Sequence, residues 1–112
     1  MEQEFSLNAY LMARRDESGC FLNPITGSLF VTNHIVCKDG FTLSVQASES
    51  HMCRPRSNMG PWETVEVACV SDLPEFILEW AADPDTPEYD IFPNVPIEMV
   101  EKLIMFHGGP VD

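Results

Sequence analysis

Basic residues are what this chain has least of. Only 6 side chains are Lys or Arg, against 18 Asp or Glu, for a net charge of −12. From Ser57 onward twelve acids face a single base, Lys102. Such a surface repels the phosphates of nucleic acid and of anionic lipid, so neither is expected as a partner. It suits solubility, or a protein partner with a basic surface. Long apolar runs are missing as well. None approaches the ~20 residues that a membrane-spanning helix needs. The opening "MEQEFSLNAYLMARR" sets acid before its apolar residues and arginines after them, the reverse of a secretory signal. The expectation is a soluble cytoplasmic protein. Phosphate-binding glycine loops, dinucleotide fingerprints and nucleophile elbows are absent. No cofactor is expected, and the chain is read as a non-enzyme.

Cysteine is sparse and widely spaced: Cys20, Cys37, Cys53 and Cys69. In a reducing cytoplasm these are expected to be free thiols.

What is present is enough for one domain. The 112 residues are 45% hydrophobic, which a disordered acidic tail would not be. Residues 3–14 predict a short helix, with Phe5, Ala9 and Met12 on one stripe and Leu7 and Leu11 beside it. "SLFVTNHIVCKDGFTLSVQAS" predicts a hairpin about Asp39-Gly40, with a two-residue turn that needs positive φ at both positions. That turn pairs Lys38 with Phe41, Cys37 with Thr42, Val36 with Leu43, Ile35 with Ser44 and His34 with Val45. In the second strand Phe41, Leu43, Val45 and Ala47 take the buried face, while Thr42, Ser44, Gln46 and Ser48 take a wetter one. A loop of roughly fifteen residues follows. "WETVEVACV" then resumes as a strand with Val65, Val67 and Cys69 inward. "SDLPEFILEWAAD" predicts a helix whose apolar side is Phe76, Ile77 and Trp80, capped by Asp72 with Glu75 answering. A last helix is expected from near Asn94, with Pro96 in its first turn. Val100, Leu103, Ile104 and Phe106 face inward, and Gly108-Gly109 ends it. The sum is an α+β domain: a small antiparallel sheet of about three strands with two to three helices on one face.

Four sites are suggested by residue type. His34, Cys37, His51 and Cys53 look like two zinc-ligand pairs. In a strand, however, residues three apart point to opposite faces, which leaves His34 half-buried and Cys37 acting as a small hydrophobe. Cys53 with His51 or His107 suggests a nucleophilic pair, and Arg54 and Arg56 would lower that thiol's pKa if close. An ordinary loop cysteine is the stronger reading. Arg54 and Arg56 suit a bound anion, although pairing with Glu49 or Glu63 competes. Asp83, Asp85, Glu88 and Asp90 have calcium-like alternation but lack the turn glycine and terminal bidentate glutamate. A solvated acidic loop fits them better, and no metal is expected.

The strings "GFTLSVQASESHMCRPRSNMGPWETVEVACVS" and "IFPNVPIEMVEKLIMFHGG" resemble a group of small proteins encoded by phages and prophages. The pattern is an "LSVQAS" strand, an aromatic-Cys-x-Pro-Arg loop, a "GP-aromatic" turn into "VEV", and a "VP" helix ending in "HGG". Met52 stands where the group has an aromatic residue. The resemblance covers the core 40–109 and leaves 1–39, the helix and first strand, as an addition within a single domain 1–112. The group has no established activity, so the resemblance implies a phage setting and no particular chemistry. That setting favours a cytoplasmic protein that binds and inhibits a host or defence-system protein, such as an anti-CRISPR or anti-restriction mimic of nucleic acid. Its contact residues would be Glu79, Asp83, Asp85, Glu88 and Asp90. Two other classes are a small-anion binder or minor enzyme built on His51, Cys53, Arg54 and Arg56, and a phage accessory protein that forms homodimers.

Overall fold

The computed structural model describes residues 5–15, 20–21, 31–32, 34–48, 51–57, 60–72, 74–83, 85 and 91–111. The protein is α+β. The elements run α1 (Leu7–Arg15), β1 (Cys20–Phe21), β2 (Val31–Thr32), β3 (Ile35–Val36), β4 (Thr42–Gln46), β5 (Thr64–Ala68), a 3₁₀ turn (Leu78–Trp80), β6 (Phe92–Pro96) and α2 (Ile97–Phe106). The main sheet is antiparallel, with four strands in the order β3-β4-β5-β6, one more than the sequence suggests. β1 and β2 form a separate antiparallel pair, Cys20 opposite Thr32. Among the described residues no helix is long and apolar enough to cross a membrane.

The core is one cluster. Leu7 and Leu11 of α1, the inward residues of β4 and β5, and Val100, Leu103 and Ile104 of α2 share it. The α2 positions follow the helical repeat i, i+3, i+4, and each contributes roughly 1.5–3 kcal/mol by leaving water. Pro96 stands at the start of α2, where no backbone donor is needed. Two amides close its end: Gly108 N–H donates to the Met105 carbonyl and Gly109 N–H to that of Ile104. The positive φ angles of 93° and 83° suit glycine there. Phe106 is 59% exposed, against the expectation that it faces inward.

The β3–β4 hairpin is shifted by one residue from the expected pairing. Ile35 opposes Leu43 and Val36 opposes Thr42. The turn has three residues, not two. Gly40 N–H donates to the Cys37 carbonyl and Cys37 N–H to that of Phe41, at 2.9 and 2.8 Å. Of Asp39 and Gly40 only the glycine has a positive φ, 98°. The shift decides which residues are buried, because moving one residue along a strand turns the side chain to the other face. Ile35 is buried beside Leu43, and Val36 is exposed. The second face of β4 is not wet: Ser44, Gln46 and Ser48 are all buried, and Gln46 Nε2 donates to Ser44 Oγ.

Three further expectations fail on backbone geometry. Residues 74–82 hold only the short 3₁₀ turn, because Phe76 has a φ of 74°, which no right-handed helix accepts. Ile77 still reaches the core, with Phe76 and Trp80 packed at its margin. Asn94 lies inside β6 rather than at the head of a helix. Cys69 follows β5 with a φ of 53° and is exposed, not inward.

A Cβ added at Gly40 would meet nothing within 4 Å, so alanine there tests backbone conformation alone. Gly40→Ala is expected to cost about 1–2 kcal/mol in urea unfolding, with Gly40→Asn costing less. An unchanged midpoint for the alanine variant would contradict the turn geometry.

Candidate functional site

The described residues of the loop after β4 are pinned at several points. Met52 N–H donates to Glu66 Oε1 at 2.9 Å, and the Met52 carbonyl accepts from Asn94 N–H at 3.0 Å. Arg54 pairs with Thr64 as a lone antiparallel bridge. Trp62 is buried and donates through Nε1 to the Ser57 carbonyl. Its backbone is held by Asn8 of α1, whose side-chain amide accepts from Trp62 N–H and donates to the Trp62 carbonyl. Gly60 is required beside that ring, since a Cβ would fall 2.8 Å from it.

On this frame the predicted nucleophile is closed off. Cys53 is buried, and its thiol donates towards the Ser48 and Pro55 carbonyls at 3.2 and 3.4 Å. Burial pushes the thiol's pKa up, against the lowering effect of backbone hydrogen bonds with Ser48 and Ser57 and of the nearby Arg56 charge. His51 turns Nδ1 to Ser48 Oγ at 2.6 Å. The expected lowering of the Cys53 pKa is therefore reversed. The side chains of Arg54 and Arg56 are exposed, and among the described residues neither forms an ion pair with a carboxylate. Glu63 does not take the role expected of it, and Glu49 lies outside the described residues.

No cluster of three metal-ligating side chains occurs among the described residues. His34 is exposed rather than half-buried, while Cys37 is buried as expected, its pKa raised by desolvation and then by Asp39. Glu79, Asp83 and Asp85 are exposed, and Asp83 Oδ1 accepts from Asp85 N–H at 3.0 Å. Glu88 and Asp90 lie outside the described residues.

One constellation escaped sequence reading. His107, at the end of α2, sets Nδ1 2.6 Å from Asp39 Oδ2 in the β3–β4 turn. An ionised carboxylate only accepts, so Nδ1 carries the proton. The imidazole stacks on Phe41 at 4.0 Å and 7°, and the Phe106 ring meets it edge-on at 5.2 Å. Its Nε2 is buried and, among the described residues, has no hydrogen-bond partner, so this nitrogen is not open to solvent for proton transfer. The arrangement ties the turn to the helix. The spacing of 68 residues between the two side chains hides it from any local motif.

Compared with known proteins, the chain gives no significant match to a family model, a curated protein or a solved structure.

Phe41 N–H and then the His107 ring hold the half-exposed Asp39 carboxyl below its ordinary pKa. A depressed folded value adds stability that is present above the unfolded pKa of about 3.9 and is lost as pH falls through the folded value. Asp39→Asn is expected to melt below the wild type at pH near neutrality, with the gap closing on acidification. A gap that stays constant across the acid range would remove the linkage. For the thiols, a mild alkylating reagent on the native chain is expected to modify Cys69 well before Cys37 or Cys53, which become reactive on unfolding. Peptide mapping that found Cys53 labelled first would overturn its assignment as a sealed structural thiol.

Proposed function

We propose that this is a small, acidic, non-enzymatic protein that binds and inhibits a cytoplasmic host protein through a basic surface. In its sharp form it is a phage- or prophage-encoded inhibitor of a defence system that imitates the charge of nucleic acid. The observation that carries this reading is that Glu79 and Asp85 are exposed and, among the described residues, engaged in no ion pair. A row of solvated carboxylates steers association with a cationic groove and suppresses association with other anions. The resemblance of residues 40–109 to phage-encoded proteins supports the setting, and the charge of −12 supports the sign of the partner.

A second reading has its own support. Arg54 and Arg56 are exposed on a pinned loop and make no ion pair among the described residues. Two such guanidinium forks suit a small phosphate or carboxylate ligand.

One experiment separates the two. The full chain is used to capture proteins from a bacterial lysate at low and high salt, beside a variant with Glu79, Asp83, Asp85, Glu88 and Asp90 changed to Gln or Asn. The expected result is a basic protein retained at low salt by the wild type only. Equal retention by the neutralised variant overturns the acidic reading. Retention lost instead on Arg54→Gln with Arg56→Gln transfers the function to the arginine loop.

A further inference from the structure

Exposed carboxylates set association rate and partner choice more than affinity, which in protein interfaces comes from a few buried aromatic or large apolar side chains. An acidic binding surface of the kind proposed therefore needs an apolar anchor close by. The structure holds one. Phe106 is 59% exposed and Met105 beside it 46%. Both lie in the last turn of α2, where solvent exposure of large apolar groups brings the fold no benefit. The Phe106 ring is held, not loose. Phe76 meets it edge-on at 5.4 Å and 80°, and His107 meets it at 5.2 Å and 90°. Lys102 in turn lies over Phe76, with Nζ 4.9 Å from the ring centroid. A preordered aromatic loses little freedom on docking, which is how anchors gain affinity.

The patch is continuous with the acidic segment. Phe76 is flanked in the chain by exposed Glu75, and two residues further on come exposed Leu78 and Glu79. From Asp72 to Asp85 the segment that carries Phe76 holds five acids and no base. An apolar centre with a charged rim is the anatomy of a protein interface.

We infer that Phe106, braced by Phe76 and His107 with exposed Met105 beside it in the helix, is the apolar anchor of a docking face whose rim is Glu75 and Glu79, and that it fits an apolar pocket ringed by Lys or Arg on another protein. The charge decides the occupant. A second copy would set two chains of −12 face to face, whereas a cationic rim complements this one. The inference deepens the acidic reading above and rests on it.

The test uses the full chain and two labelled synthetic peptides of equal positive charge: an amphipathic helix of leucine and lysine, and a lysine–glycine chain with no apolar face. Binding is followed by fluorescence anisotropy. The amphipathic peptide is expected to bind the wild type more tightly, to weaken about tenfold or more with Phe106→Ser, and to shift the Met105 and Phe106 amide resonances. The lysine–glycine peptide is expected to bind both forms alike. If thermal melting shows the serine variant unfolded, Met105→Ser is read in its place. Undiminished binding of the amphipathic peptide to the variant overturns the anchor while leaving the acidic reading standing. Failure of both peptides to bind overturns the acidic reading and the anchor with it. Sedimentation equilibrium that reveals a dimer dependent on Phe106 overturns the assigned occupant.

Discussion

With three acids for every base, this chain cannot satisfy its carboxylates with cations, and much of its tertiary structure follows from that shortage. The carboxylates turn to backbone N–H groups instead. Glu101 of α2 accepts from Leu7 N–H at the start of α1 at 2.8 Å. Glu66 of β5 accepts from Met52 N–H, and Asp39 from Phe41 N–H. Such bonds are charge-assisted, so they are shorter and stronger than neutral ones. Each also uses a donor that the fold would otherwise leave unpaired. In the case of Leu7 that donor is one of the four orphan amides at a helix start, where a negative charge is additionally favoured by the helix dipole. The result is long-range stitching at low cation cost: α1 to α2, and the post-β4 loop to β5.

The same logic explains why a histidine sits at the end of α2. It brings a ring N–H to Asp39 without adding to the crowding of long basic side chains, and its flat face stacks on Phe41. From Phe41 through His107 and Phe106 to Phe76, four rings in successive contact connect the hairpin turn, the helix end and the segment before the 3₁₀ turn. The first two are sheltered and the third is open to solvent. Order is thus carried outward from the core to a surface ring, which is unusual for a terminal helical turn, where side chains ordinarily fray.

What could be read from the sequence follows where local rules were left undisturbed. The inward set Val100, Leu103 and Ile104 is legible because it keeps the i, i+3, i+4 helical repeat, and the closing glycines mark its end. The inward faces of β4 and β5 are legible because alternation holds across Leu43, Val45, Val65 and Val67. The failures share one cause, a backbone conformation that residue type does not announce. Phe76, Asn94 and Cys69 all have positive φ; Phe76 and Cys69 sit where a helix and a strand were expected to run on, and Asn94 where a helix was expected to begin. Pro93 and Pro96 disguise β6, although proline is tolerated there because β6 lies at the sheet edge. The hairpin register depended on whether the turn held two residues or three, and Asp39-Gly40 serves both. Of the candidate site, exposure of Glu79, Asp83 and Asp85 was legible from charge alone. The Asp39–His107 contact was not, since it joins side chains 68 residues apart.

The carboxylates divide into two populations, and the proposed binding concerns only one of them. Asp39, Glu66 and Glu101 are committed to backbone or ring donors and hold the frame. Glu75 and Glu79 are exposed and bonded to no base among the described residues. A charge that is already hydrogen-bonded within the fold gains little from an incoming cation, because its interactions are made before the partner arrives. A charge still facing water exchanges hydration for a direct contact, and only that exchange contributes to association. The uncommitted acids lie in the short segment that also carries Phe76, whose ring supports Phe106. The exposed acids and the Phe106 ring are thereby held at the same end of α2, by the ring contacts that also hold that end to the hairpin. Selection acting on the Asp39–His107–Phe41 junction would therefore maintain the frame and the presentation of Phe106 together.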